Sequence, residues 1–296
     1  MQIAIIGVGN VGATLANILY RDNKIKKIIL IDLNIEIIQG KSLDIMHSCH
    51  SNTKLYPTDK YADIKNSDIV ITCAGKKRDA NMSRKDLLQI NEKIITDIAK
   101  QVYRFAPNSI NIVVTNPVDT LTYKFYKESK FRKNQIIGMA GVLDSNRFKY
   151  LLSQELNYSI HNISTMIIGE HNSNMTPLIQ YTTINNIPLT EFISLNKITT
   201  SNIKKMIQQV KNYGKEIIQL QQTSAFYSTA SSIAEMIYAL QNEQETIMTG
   251  SAICNGEYGI YNKAIGLPIK INSQGISILE NLNLTTEQLE ILQKNI

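Results

Sequence analysis

No run of apolar residues in this 296-residue chain approaches the roughly 20 needed to cross a bilayer. No basic segment precedes the first apolar stretch, Gln2-Ile3-Ala4-Ile5-Ile6, and no small-residue cleavage site follows it. A secretory signal is therefore not expected. Cysteine is scarce: Cys49, Cys73 and Cys254 are odd in number, far apart and free of any C-x-x-C spacing. That argues against a disulfide framework and for a reducing compartment such as the cytoplasm, with Cys73 as a small buried residue closing an apolar run. His47, Cys49 and His50 lack a fourth ligand at finger-like spacing, so no metal is expected there. A basic tract is missing too. Lys and Arg outnumber Asp and Glu by 31 to 25, but the charges are spread along the chain. This disfavours nucleic acid as a partner and leaves a mild attraction for anionic small molecules. No internal repeat or low-complexity linker interrupts the sequence, and 43% of it is hydrophobic, enough for a sizeable core.

The first half alternates short apolar runs with longer helical patterns. Strands are predicted at Ile3–Ile6, Lys27–Ile31, Asp68–Cys73, Asn111–Thr115 and Gln135–Ile137. Their apolar residues run continuously, as expected for strands covered on both faces. Asn10–Arg21, Asn34–His47 and Asp86–Phe105 have helical spacing, and the Ser83/Asp86 pair matches a capping box that would start the third helix near Arg84. The second half reads differently. A helix over Asp144–Leu156 leads into a β run at Ser164–Ile168, followed by helices at Ser201–Gln222 and Ser224–Gln241. A β-like stretch spans Thr246–Ile278, and Thr285 with Gln288 caps a final helix. Gly138-Met139-Ala140-Gly141 breaks the pattern. The expected organisation is α/β: a doubly wound parallel sheet over residues 1–140, then an α+β substrate domain over 141–296.

Gly7-Val8-Gly9-Asn10-Val11-Gly12 matches G-x-G-x-x-G. It follows a strand, opens a helix, and is succeeded twenty residues after Gly12 by Asp32 at the end of the next strand. In that context it is the Rossmann dinucleotide fingerprint. Gly7 permits the tight turn, Gly9 lets main-chain N–H groups approach a pyrophosphate, and Gly12 allows close helix–strand packing. The N-terminus of the helix, from Asn10 and Val11 onward, favours the negative charge. Asp32 accepts from ribose hydroxyls and repels a 2′-phosphate, so NAD is expected over NADP.

Six further segments, in order along the chain, carry a more specific signal: Gly7–Leu15 (GVGNVGATL), Ala74–Asn91 (AGKKRDANMSRKDLLQIN), Thr115–Asp119 (TNPVD), Gly141–Phe148 (GVLDSNRF), Gly169–His171 (GEH) and Ala234-Glu235-Met236. Through them the chain resembles the lactate and malate dehydrogenases over essentially its whole length, and most closely the lactate-dehydrogenase-like malate enzymes. The resemblance makes His171 the general acid/base, a role suited to a side chain that titrates near neutrality. It pairs Asp144 with His171 and gives Arg147, three residues further along the same helix, the substrate carboxylate. It assigns Arg84 to the reacting carbonyl, and Asn116, which precedes Pro117, to orienting substrate and nicotinamide. Asn91, Thr115 and Asn116 are implied at the cofactor, and Ser224 and Ala225 at the floor of the substrate pocket. Arg78 matches the position where malate enzymes carry arginine. There it would bind the distal carboxylate of oxaloacetate, which pyruvate lacks; leaving it buried and unpaired would cost several kcal/mol. The implied activity is reversible hydride transfer between malate and NAD, as in the tricarboxylic acid cycle. A homodimer or homotetramer is also implied, with Asn34–His47 and Ser224–Gln241 contributing to the contact.

Two departures from the family pattern stand out. Asn172-Ser173 replaces a Gly-Asp pair after the histidine, and Asp79-Ala80-Asn81 replaces Lys-Pro-Gly in the mobile loop. The alternatives are a lactate or other 2-hydroxy acid dehydrogenase, differing in the meaning of Arg78, and a non-catalytic dinucleotide-binding regulator.

Overall fold

A continuous apolar strand must be buried on both faces, and its alternate residues then belong to two different cores. The computed structural model, which describes residues 1–76, 83–172 and 174–293 but not the side chain of Arg84, shows this partition directly. The strands are Gln2–Ile6 (β1), Lys27–Ile31 (β2), Lys54–Thr58 (β3), Ile69–Thr72 (β4), Ile110–Val113 (β5) and Ile136–Gly138 (β6). They form a parallel sheet in the order β3-β2-β1-β4-β5-β6. Ile3, Ile5, Ile28, Leu30, Ile69 and Ile71 point into one core, whereas Ala4, Ile6, Ile29, Ile31 and Val70 point into the other. Helices Asn10–Leu19 (α1), Ile35–His47 (α2), Arg84–Phe105 (α3) and Val118–Glu128 (α4) connect the strands. α1 packs on the first core and α3 and α4 on the second. This is the doubly wound arrangement expected from the sequence.

The remainder begins with helix Val142–Leu156 (α5), followed by short strands Ile163–Ser164 (β7), Ile167–Ile168 (β8), Thr176–Pro177 (β9), Thr183–Ile184 (β10) and Ile187–Pro188 (β11). Helices Leu189–Ser194 (α6), Thr200–Gln221 (α7) and Tyr227–Leu240 (α8) come next. Strands Thr246–Asn255 (β12), Tyr261–Asn272 (β13) and Gly275–Ile278 (β14) and helix Thr286–Gln293 (α9) complete the order. β12, β13 and β14 pair antiparallel and continue the parallel sheet beyond β6, giving nine strands. The junction needs a glycine: a Cβ on Gly138 would sit 2.7 Å from the Cβ of Ser251, its partner in register.

Most boundaries agree with expectation, and the exceptions have physical reasons. The Ser83/Asp86 box forms and starts α3 at Arg84. Thr285 and Gln288 exchange main-chain and side-chain bonds ahead of α9. The single β run expected at Ser164–Ile168 is two strands: β7 joins a three-stranded sheet with β10 and β11, while β8 pairs with β9. The helix expected from Ser224 starts at Tyr227, leaving Ser224 and Ala225 in the preceding loop. Cys73 is only half-buried, because the chain leaves the sheet at Thr72. Among the described residues no helix is long and apolar enough to cross a membrane.

Phe125 fixes α4 to the sheet: it is fully buried and stacks on Phe131 with ring centroids 6.1 Å apart. Phe125→Ala is expected to remove about 3–5 kcal/mol of stability, measured by urea denaturation. A loss under about 1 kcal/mol would show that α4 is held elsewhere.

Candidate active site

The turn after β1 is built by close approach. Gly7 has φ +93°, and a Cβ on it would lie 2.3 Å from the main-chain nitrogen of Ala74. A Cβ on Gly12 would lie 2.2 Å from the Gly7 carbonyl oxygen. Gly9 is different: nothing lies within 4 Å of its would-be Cβ, so the main chain there faces open space. Neither a side-chain cap nor an acidic residue occupies the first turn of α1, which begins at Asn10 and Val11. Its N–H groups are therefore available to a phosphate. Asp32, just beyond β2, accepts from the Val8 N–H at 2.7 Å and the Leu33 N–H at 2.8 Å. Each oxygen keeps acceptor capacity for ribose hydroxyls.

These groups share one cavity of about 710 Å³. Gly7, Gly9, Asn10, Val11, Gly12 and Asp32 line it, together with Tyr61, Cys73, Asp97 and the loop that carries Ser224 and Ala225. A cradle open at Gly9, an uncapped helix start and a carboxylate at the far end fit a dinucleotide such as NAD. Burial pushes the Cys73 thiol up to about 12, so it stays uncharged beside the cavity.

Asn91 and Thr115 have other partners. The buried Asn91 amide accepts from the Lys76 N–H at 2.8 Å and donates to the Asn116 carbonyl at 3.0 Å. Thr115 Oγ1 donates to the Ala74 carbonyl at 2.7 Å. Both side chains tie together the loops that follow β4 and β5, and so shape the cavity wall from behind. Asn116 is exposed at the mouth of the second loop, and the Asn116–Pro117 peptide is cis.

The second cluster gathers on α5 and the turn after β8. Asp144 lies in the first turn of α5, with its side chain 1% exposed. Its Oδ2 is 2.6 Å from His171 Nδ1, and its Oδ1 accepts from Arg147 Nη1 at 3.2 Å. Arg147 and His171 remain 13% and 21% exposed, so both reach solvent from one buried anchor. The turn that carries His171 depends on Gly169, at φ +102°, whose N–H donates to Gly266 of β13 at 2.9 Å. After the histidine, Asn172 donates to Glu170 at 2.7 Å and accepts from the Asn174 N–H at 2.7 Å. These Asn172 bonds lie where the sequence departs from the Gly-Asp of the family pattern. The Asp144 carboxylate raises His171 above the ordinary histidine value, against the opposing effect of burial. Burial works against ionisation of Asp144 itself, but the His171 and Arg147 charges hold it below the ordinary carboxylate value.

Arg78, Asp79, Ala80, Asn81 and Ser173 lie outside the described residues, as does the side chain of Arg84, whose main chain opens α3. Two contacts were not foreseen. Lys41 Nζ donates to the Val8 carbonyl at 2.6 Å and so braces the glycine turn from α2; a lysine amid polar helix residues gives no sign of this. Asp119 Oδ2 accepts the His171 main-chain N–H at 2.8 Å. It sits inside the TNPVD segment, which marked its importance without a role.

Comparisons with known proteins agree with this geometry. The lactate/malate dehydrogenase NAD binding domain matches residues 1–138, and the lactate/malate dehydrogenase alpha/beta C-terminal domain matches residues 141–296. Among solved structures, malate dehydrogenase from Cryptosporidium parvum is similar at 34% identity and a TM-score of 0.93, covering 99% of this chain and 94% of that one. Malate dehydrogenase from Salinibacter ruber is similar at 34% identity and a TM-score of 0.91, covering 99% and 93%. Lactate dehydrogenase from Eimeria maxima, solved with NADH and oxamate, is similar at 32% identity and a TM-score of 0.93, covering 99% and 89%. With an open glycine turn and the Asp32 carboxylate on one wall of a cavity and a His–Asp–Arg cluster held by a buried anchor, the chain belongs to the lactate/malate dehydrogenase family of NAD-dependent 2-hydroxy acid oxidoreductases.

Proposed function

We propose that this enzyme interconverts malate and oxaloacetate, with His171 as the proton-transfer group and Arg147 and Arg78 on the two substrate carboxylates. The observation that carries the chemistry is the buried Asp144 carboxylate, which engages His171 Nδ1 at 2.6 Å and Arg147 at 3.2 Å. With Nδ1 held by Asp144, Nε2 is the nitrogen left to receive the hydroxyl proton. Arg147 keeps most of its donors after bonding Asp144, and its planar fork suits both oxygens of the C1 carboxylate. As the proton arrives, Asp144 stabilises the imidazolium that forms. NAD, when bound, supplies the hydride acceptor for C2. Arg84, at the start of α3, polarises the C2 oxygen, and Asn116 orients the substrate from the loop after β5.

The choice of malate rests on Arg78 as a second cation and on the small side chains of Ser224 and Ala225, which leave room for a four-carbon diacid. Lactate is the second reading, favoured by the lactate dehydrogenase similar at 32% identity. NADH oxidation by the purified protein, with oxaloacetate and pyruvate in parallel, separates the two. Oxaloacetate is the expected preference, and Arg78→Gln should move the ratio of kcat/KM values toward pyruvate by about a hundredfold or more. An unchanged ratio removes Arg78 from its role.

His171→Asn should lower kcat by about 10²–10⁴. In the wild type, hydroxy-acid oxidation needs neutral His171 and oxo-acid reduction needs it protonated. As pH rises through its pKa, oxidation should therefore gain and reduction decline. Because Asp144 raises that pKa, both limbs should lie above the ordinary histidine value of about 6.5. Asp144→Asn should move them down; a pH profile indifferent to it would detach Asp144 from the histidine.

A homo-oligomer built through α2 and α8 is also part of this reading. Ile37 and Leu43 on α2 and Tyr227 and Tyr238 on α8 are exposed. Light scattering of the purified protein should give a dimer or tetramer, and a monomer at working concentration contradicts the assembly.

A further inference from the structure

The glycine turn is tied at its two ends, and one peptide between them is left over. At the start, the Gly7 N–H donates to the Ile31 carbonyl at 2.8 Å and the Val8 N–H to Asp32 Oδ2 at 2.7 Å. At the end, the Gly9 carbonyl accepts the Ala13 N–H at 3.0 Å and so opens α1. The Val8–Gly9 peptide has neither support. Its N–H, on Gly9, has no acceptor among the described residues. Its carbonyl oxygen, on Val8, accepts from Lys41 Nζ at 2.6 Å. No carboxylate among the described residues pairs with Lys41, so its ammonium is committed to this oxygen.

Lys41 reaches the turn from α2, behind the cavity: Gly7, Gly9 and Asn10 line that space, and Val8 and Lys41 do not. The C=O and N–H of a trans peptide point in opposite directions, and Val8–Gly9 is trans. A Val8 carbonyl drawn toward α2 therefore turns the Gly9 N–H the other way, to the side on which Gly9 borders the cavity.

This orientation needs holding because position 9 is a glycine. Turning a peptide plane over changes ψ of the residue before it and φ of the residue after it, and glycine accepts φ of either sign. Gly9 sits at φ −71°, with nothing within 4 Å of its would-be Cβ. Sterics at Gly9 thus leave both orientations open. The reversed one would place a carbonyl oxygen where the N–H stands, and a phosphate is attracted by the N–H but repelled by the oxygen.

We propose that Lys41 is a positioning residue for the cofactor: by holding the Val8 carbonyl, it fixes the Gly9 N–H toward the pyrophosphate. The glycine that gives the main chain its access also frees the peptide to turn over, and a lysine on the neighbouring helix restores the constraint. Affinity falls with the fraction of molecules that keep the competent orientation. Only ligands that carry the pyrophosphate should feel that fraction.

The inference rests on the reading that the glycine turn receives the pyrophosphate, and displacement of bound NADH by adenosine and by ADP-ribose separates the two. Wild-type protein should bind ADP-ribose more tightly than adenosine; equal affinities overturn the pyrophosphate reading itself. Lys41→Met keeps the aliphatic stem and loses the donor. It should weaken ADP-ribose about tenfold and adenosine less than about twofold, and Lys41→Arg, which retains a donor, should recover most of the loss. A wild-type preference left intact in Lys41→Met, or equal losses for both ligands, overturns the role of Lys41 alone. A crystal structure of Lys41→Met should show the Val8 carbonyl turned or divided between two orientations, and an unmoved carbonyl also overturns the role. If Lys41→Met does not fold, Lys41→Gln, one bond shorter and uncharged, takes its place in both measurements.

Discussion

A carboxylate with 1% exposure remains ionised inside α5 because its two oxygens are divided between two partners, His171 on Oδ2 and Arg147 on Oδ1. Burial alone works against that charge, and the two neighbours overcome it. The rest of the site is arranged around this balance. Removing either partner leaves a charge in low dielectric, which costs several kcal/mol. The anchor needs α5 to begin where it does, at Val142, so that Asp144 falls in the first turn, where an acid is also favoured by the helix dipole. It also needs a glycine at φ +102° directly after β8, so that His171 turns back toward the helix. Neither element makes the site by itself; the geometry belongs to their meeting.

What was legible in the sequence follows from how local each signal is. Continuous apolar runs such as Ile69-Val70-Ile71-Thr72 revealed the central strands, because burial on both faces leaves no room for polar alternation. The glycine turn and Asp32 were readable as a set, since each residue answers a steric or charge demand at fixed spacing. β3 was not foreseen: it is an edge strand with alternating exposure and a proline at position 57, and resembles a loop in composition. α4 was missed as well, because it starts directly after Pro117, inside a short motif, and mixes polar with apolar residues. The joining of β12 to β6 is a pairing between residues more than a hundred positions apart, and no local pattern encodes it.

The site shows the same division. His171, Asp144 and Arg147 came from family resemblance, and the structure brings both His171 and Arg147 within hydrogen-bond reach of Asp144. Asn91 and Thr115, implied at the cofactor by the resemblance, have structural bonds that the motifs did not reveal: their polar atoms join main-chain groups of the loops after β4 and β5. A motif records that a residue type is needed at a position, not which of its neighbours needs it. Lys41 is the converse. It braces the glycine turn through Val8, and its position on an exposed helix gives no hint of that contact.

The registered pair Gly138–Ser251 has a consequence for how the polypeptide can be divided. The break between residues 138 and 141 looks like a natural place to cut the chain, and the two family domains meet there. The hydrogen bonding runs across it, however, because β12 is laid against β6 and caps the parallel sheet. A fragment ending near Gly138 would present β6 as a bare sheet edge, with unpaired N–H and C=O groups and apolar side chains exposed together. Such an edge invites pairing with any other strand, including that of an identical fragment. During synthesis the N-terminal sheet therefore emerges with its last edge open, and the segment that closes it arrives more than a hundred residues later.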